Sequence, residues 1–376
     1  MAFGQVLISQ DNTLSGGITA VERKVLYIGE GGASAQFDQV HAIGAQTDLD
    51  AILGSEDSAL KTNIAATMLN AGANFTGYVV AIKAVGGTYT WDTALEFCLD
   101  APNDIDVELV VLTDEMANAS DVDLYHAACV SAQSVFAKYL TIHAAVAGND
   151  GSQAWAAYAT ATKALQTDKA AHRVYLVPQL HGNNLGVVVG RLINDAVSLG
   201  DSPMRVLSGA VVSLGATPVD SAGLSLTNAH LKDLADNRFS VPQSYTGLDG
   251  TYWADHSSLD VDIGDFKVYE NLRVLDYITR RVRLKAISKI ADKSLNSSAS
   301  SIAFHEGFFM QPIFDASKIT IINGEPKPGL VKPPQKGDIV ISWANTTEVE
   351  IYMQAAPGDS PKKISMHISL DLNRLA

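Results

Sequence analysis

Between Lys24 and Leu180 the chain alternates short apolar runs with longer segments whose apolar residues recur every three or four positions. The short runs are KVLYIGEGG from Lys24, TGYVVAIKAV, VELVVLTD, YLTIHAAVAG and HRVYLVPQL, and they read as strands. The longer segments are SALKTNIAATMLNAG, TWDTALEFCLDA, the stretch that opens at Ser120, and SQAWAAYATATKALQ, and they read as helices. In the first of these Leu60, Ile64, Met68 and Leu69 keep helical spacing and Gly72 is a stop, while Thr90 or Asp92 caps the second. Such alternation predicts an α/β sandwich over residues 24–180 with an at least partly parallel sheet.

Beyond residue 180 the pattern changes. Gly182, Gly186 and Gly190 are four apart in a segment expected to be one helix, where they permit close approach of another backbone, and Asp201-Ser202-Pro203 is its expected end. Turn formers and aromatics from Asn237 to Asp260 predict short strands and loops. Leu272, Leu275, Ile278, Val282, Ala286 and Ile290 then form an apolar stripe on a long amphipathic helix, expected over residues 268–292. From Ile313 strands alternate with Pro- and Gly-rich joints.

Both chain ends raise the same question. Residues 1–23 read as an extended arm that carries the apolar patch Val6, Leu7 and Ile8 before a loose joint. At the other end, residues 361–376, Ile364, Met366, Ile368, Leu370 and Leu372 alternate with polar residues without a fault. This is the period of a strand with one buried face, preceded by a Gly-Asp-Ser-Pro hinge. Such a strand either closes its own sheet or adds an edge to a neighbour. If the arm of one copy enters the next, the contact is head-to-tail and makes rings or helices.

Charge sharpens the picture. The net charge of −14 disfavours nucleic-acid binding. Between Lys24 and Lys138 the only basic residues are Lys61 and Lys83, whereas Arg273, Arg280, Arg281, Arg283, Lys285 and Lys289 crowd the long helix. That basic flank reads either as a solvated face or as a docking face. Arg273, Arg280, Arg281 and Lys285 are the candidates for charge contacts with a partner, and are expected to be replaceable without harm to the single subunit. The amino terminus has no signal-peptide pattern and no apolar run reaches the ~20 residues a membrane span requires, so a cytoplasmic origin without membrane insertion is expected.

Catalytic chemistry is sparse. GEGGAS after the first strand is half of a dinucleotide fingerprint, with Ser34 where the third glycine belongs and no clear helix behind it. The nine histidines are scattered, and His126, His143 and His172 read as ordinary helix or strand residues. Cys98 and Cys129 read as buried thiols. The pairs Asp104/Asp106 and Asp260/Asp262 read as solvated surface. No catalytic, cofactor or metal residue is assigned, and the chain is expected not to be an enzyme.

Two segments carry a family resemblance. VVVGRLINDAVSLGDSPMRVLSGAVV joins Gly190-Arg191 to Ser202-Pro203, and YENLRVLDYITRRVRLKAISKIADKSLNSSASS joins Asn271-Leu272-Arg273 to the basic helix. Both resemble contractile phage tail sheath proteins, relatives of pyocin and type VI secretion sheaths. The resemblance implies an α/β, overall α+β, chain with an outer α/β insertion domain at 24–180. It also implies an inner assembly domain built from 1–23 and 181–376, with extended strand arms. Such subunits polymerise as stacked six-membered rings around a tail tube, pair arms with neighbours, and contract to drive the tube through the host envelope. Implied partners are further copies of the chain, the tube protein, and baseplate and tail terminator proteins, with assembly in the bacterial cytoplasm. The alternatives are a nucleotide-dependent enzyme on residues 24–180, or another tail or baseplate component.

Overall fold

A computed structural model describes residues 21–83, 86–261 and 263–369. The elements in chain order are β1 (Val25–Glu30), β2 (Val40–Gly44), α1 (Leu49–Leu53), α2 (Ala59–Ala71), β3 (Thr76–Ile82), α3 (Trp91–Leu99), β4 (Leu109–Leu112), α4 (Ser120–Phe136) and β5 (Thr141–Val146). They continue with α5 (Trp155–Ala164), β6 (Val174–Pro178), α6 (Asn184–Ile193), α7 (Asn228–Asp236), β7 (Pro242–Gln243), β8 (Tyr252–Trp253) and α8 (Tyr269–Ile287). The last are α9 (Ala299–Ala316), β9 (Thr320–Ile322), β10 (Glu325–Lys327), β11 (Ile339–Asn345) and β12 (Glu348–Met353).

The expected α/β sandwich is present. Six strands form one sheet in the order β2-β3-β1-β4-β5-β6, parallel except for the edge strand β2. Its central strands are apolar over most of their length because both faces are covered, with Thr141 and His143 of β5 as buried polar exceptions. Leu26, Ile28, Val110, Leu112, Val174 and Leu176 face a core closed by α3, α4, α5 and α7. Val25, Tyr27, Leu109, Val111, Tyr175 and Val177 face α1, α2 and α6. A third core lies apart, where Val274 and Ile278 of α8 meet Phe309 and Ile313 of α9 and Ile339 and Ile341 of β11.

Glycine sets the α2–α6 distance. A Cβ on Gly186 would stand 2.0 Å from the Asn63 carbonyl oxygen, and one on Gly190 would stand 2.7 Å from that of Thr67. The closeness lets Asn63 accept from the Gly186 amide at 2.7 Å and Thr67 donate to the Gly186 carbonyl at 2.9 Å. Gly182 lies outside the helix, in a turn at φ +77° that favours glycine. Helix α6 stops at Ile193, short of the expected Asp201, because Asn194 turns away at ψ 124° and donates to the Asn70 carbonyl.

Two other expectations change. The long helix ends at Ile287, and the chain turns through Ala291 at φ +59°, which leaves Ile290 74% exposed. Asp260 is buried and accepts from the amides of Val261 and Phe266, so it shapes a loop instead of facing solvent.

Candidate functional site

The C-terminal segment is the least satisfied part of the described chain. After β12, Pro357 still bridges to Val331 and Lys332 donates to the Ala356 carbonyl. Residues 363–369 then make no hydrogen bond to any described residue, and Ile364, Met366 and Ile368 are 74%, 80% and 95% exposed. The strand period read from the sequence therefore has no sheet within the described chain. Leu370 and Leu372, like Val6, Leu7 and Ile8, lie outside the described residues.

Open sheet edges stand in the same part of the fold. Among the described residues β11 and β12 pair only with each other, antiparallel, from Ile339↔Met353 to Asn345↔Glu348. A two-stranded sheet is marginal by itself in water. Beside the hairpin, a groove of about 1030 Å3 opens between it, the end of α8 and α9, lined by Ile290, Phe309, Trp343, Val349 and Ile351.

Helix α8 connects this region to the α/β body through ion pairs. Glu270, Arg273, Asp276 and Arg280 follow one another at spacings of three, three and four, so they share one side of the helix. Arg273 is buried and donates to both carboxylate oxygens of Glu108, which immediately precedes β4. It also donates to the Leu192 carbonyl at 2.8 Å. Asp276 receives two bonds, of 2.8 and 2.9 Å, from Arg173 just before β6. Arg280 and Arg281 converge on Glu22 at 3.1 and 2.9 Å. Lys362 donates to Asp255 at 2.5 Å and lies 3.0 Å from Glu270.

Each charge on this side of α8 thus meets an opposite one from a different segment. Burial works to raise the carboxyls of Glu108 and Glu22, but the guanidiniums beside them prevail and both end below the ordinary value. Arg281 also lies over the Tyr277 ring at 3.4 Å.

The basic flank is consequently not the free face that the sequence suggested. Arg273 is inside the chain, Arg280 and Arg281 hold Glu22, and Lys285 donates to the Phe308 carbonyl at 3.0 Å. This last bond has a local cause. Pro312 sits inside α9 without an amide hydrogen, so the carbonyl four residues earlier, that of Phe308, is free for Lys285. Arg283 is exposed and makes no ion pair among the described residues.

Arg191 of Gly190-Arg191 and Arg273 of Asn271-Leu272-Arg273 are both internal struts. Arg191 donates to the carbonyls of Pro203, Arg205 and Gly209 at 2.6, 2.7 and 2.7 Å, which physically joins Gly190-Arg191 to Ser202-Pro203. The planar fork of guanidinium donors suits three separated carbonyls.

A buried polar chain has a catalytic look and no access. Trp253 donates to Ser240 at 2.8 Å, Ser240 meets His256 Nδ1 at 2.5 Å, His256 Nε2 meets His143 Nδ1 at 3.0 Å, and His143 Nε2 meets Thr141 at 3.0 Å. Ser240, His256 and His143 have no exposed surface. Burial pushes His143 down to about 3 and His256 well below its ordinary value. With both rings neutral every bond in the chain has its one proton. The network fills the space under the sheet, stacked on Tyr175.

At the carboxyl ends of the strands, where open α/β sheets take ligands, the glycine loop after β1 runs into β2 and opens no helix. No helix N-terminus with its dipole follows that loop to receive a pyrophosphate. Asp114, pushed up to about 6 by burial, accepts from the Glu30 amide at 2.8 Å. No group of three or more His, Cys, Asp or Glu among the described residues is placed to hold a metal. No described helix is long and apolar enough to cross a membrane.

Known proteins are similar to this chain in sequence and in fold. The chain matches the DUF2586 family, its N-terminal domain over residues 3–257 and its C-terminal domain over residues 265–373. It is 38% identical over 380 residues to a tail sheath protein of Haemophilus phage HP1 (strain HP1c1), which spans 99% of both chains. Its fold resembles the sheath of the PVC extracellular contractile injection system in the contracted state (TM-score 0.63, 14% identity, 99% and 98% of the chains). It also resembles a chain of the anti-feeding prophage baseplate, 6-fold symmetrised (0.59, 11%, 99% and 100%), and a sheath tail protein of Desulfitobacterium hafniense (0.56, 12%, 95% and 97%).

Proposed function

This chain belongs to the DUF2586 family of phage tail sheath proteins, as a structural subunit of a contractile tail sheath and a virion component, and from that premise we propose that it polymerises by lending its C-terminal strand to a neighbour. The observation that carries the reading is the exposed alternating row Ile364, Met366 and Ile368, unpaired within the described chain. The acceptor is the β11–β12 hairpin of an adjacent copy, which lacks the further strands that a stable sheet needs. Ile364, Met366, Ile368, Leu370 and Leu372 face its groove, while backbone hydrogen bonds supply affinity along the edge. Val6, Leu7 and Ile8 form the corresponding strand at the other end.

The contact is head-to-tail, so it generates closed rings or a helix. Six copies make a ring, in keeping with the 6-fold symmetrised assembly that contains a similar fold. The rings stack around the tail tube between baseplate and terminator, and the polymer is built in the host cytoplasm. In this reading the inner, assembly part comprises residues 1–23 and the region from α8 onward, and the α/β body lies outward, extended beyond the expected boundary at residue 180 by α6 and α7, which close its cores. Contraction moves near-rigid subunits while the strands stay paired, since a main-chain ladder tolerates rigid-body shifts of the bodies it joins. Exposed Arg283 is the charge of α8 left for the tube or a neighbour, as a weak, releasable contact.

Electron microscopy of the purified chain tests this reading. It should show hollow tubular polymers with six subunits in cross-section. Compact particles of fixed small size at every concentration would contradict it.

A further inference from the structure

We propose that Glu22 and Lys362 are positioning residues for assembly, two clasps of opposite sign on α8 that fix where the two arms leave the subunit. The proposal rests on the reading that the arms pair with neighbours, and concerns how their roots are held. At the C-terminal side, Lys362 is the last residue that the described chain anchors. It bonds Asp255 at 2.5 Å and faces Glu270 at 3.0 Å, and the segment after it makes no hydrogen bond to described residues. At the N-terminal side, Glu22 is 7% exposed and lies between Arg280 and Arg281.

The clasps differ in polarity, so each arm root fits only one of them. A lysine cannot settle between Arg280 and Arg281, and a glutamate cannot settle beside Glu270 and Asp255. They also sit on one rigid element. Ten residues of helix separate Glu270 from Arg280, or about 15 Å at 1.5 Å per residue. Between them Arg273 and Asp276 bind α8 to the residues before β4 and β6. The helix therefore holds both exits at a set separation and in register with the sheet.

The acidic half of the C-terminal clasp is buried. The Glu270 side chain is 4% exposed and Lys362 is its sole counter-ion among the described residues. Burial raises the Glu270 carboxyl, and Lys362 acts against that shift. Lys362 is itself held in the charged form, since Glu270 and Asp255 more than offset its own burial. A root held in advance removes part of the ordering cost when the arm beyond it docks.

The test is the double variant Lys362→Met/Glu270→Gln, which opens the clasp without leaving a buried charge unpaired. Its monomer should melt cooperatively like the parent. Its critical concentration for polymerisation, read by sedimentation, should rise by about tenfold, and its tubes should lose uniform diameter. The single Lys362→Arg variant, which keeps the charge, should restore both. Parent-like polymerisation and diameter in the double variant would overturn the clasp while leaving strand exchange intact. A chain without residues 364–376 that still polymerises would instead overturn strand exchange itself, and the clasp with it.

Discussion

Removal of residues 364–376 is expected to leave a folded, soluble subunit that forms no sheath. The fold loses little because the described part of that segment, through Ser369, contributes no hydrogen bond to the described chain. Ile364, Met366 and Ile368 are largely exposed, so burial energy at about 25 cal/mol per Å2 is scarcely involved. The cut spares Lys362, so Glu270 keeps its counter-ion. What disappears is a row of apolar side chains at strand spacing, a surface that a lone subunit has every reason not to display. The melting transition should stay near that of the parent, and sedimentation should show a monomer at concentrations where the parent forms tubes. Tubes from the truncated chain would remove the assembly mechanism.

Arg273→Gln should act in the opposite way and damage the subunit before assembly begins. The Glu108 carboxylate is 6% exposed in its side chain, and Arg273 meets it with both ends of its fork. Loss of one partner of such a buried pair costs about 3–5 kcal/mol because the other charge loses its ion partner in a poor solvent. Against a total stability of about 5–15 kcal/mol this is a large share. Urea unfolding of the monomer should shift by that amount, and Arg273→Met with Glu108→Gln should recover most of it. A shift of under about 1 kcal/mol, the value of a surface pair, would show that the pair is not buried in solution. Because Glu108 is depressed in the folded state, its contribution is complete above the ordinary carboxylate value of about 4.3 and fades as pH falls below it.

This reverses one expectation from sequence. Arg273, Arg280, Arg281 and Lys285 read as a face that could be neutralised without harm, since a cluster of cations on a helix is usually solvated. The acids that bury them stand far away in the chain, Glu108 by 165 positions and Glu22 by 258, and nothing local marks them. Lys285 has its partner for a reason that sequence also hides, the carbonyl released by Pro312.

The α/β body was more legible. Strands covered on both faces need mainly apolar runs, and β1, β3, β4, β5 and β6 have them. Ser58, which accepts from the Lys61 amide, and Gly72 mark the ends of α2 as expected. Helix α9 escaped notice because serines open it and Gly307 and Pro312 interrupt it, yet Phe309 and Ile313 hold it in the third core. The short β2 and α1 escaped because five residues each give no readable period. At the C-terminus the alternation was plain in the sequence. That no described strand pairs with it could be seen only in the structure.

The most direct measurement is amide hydrogen exchange at residues 364–372, compared between monomer and assembled sheath. The account predicts fast, unprotected exchange in the monomer and strong protection in the polymer, appearing together with protection along β11 or β12. Equal exchange in both states, or protection already present in the monomer, would contradict it.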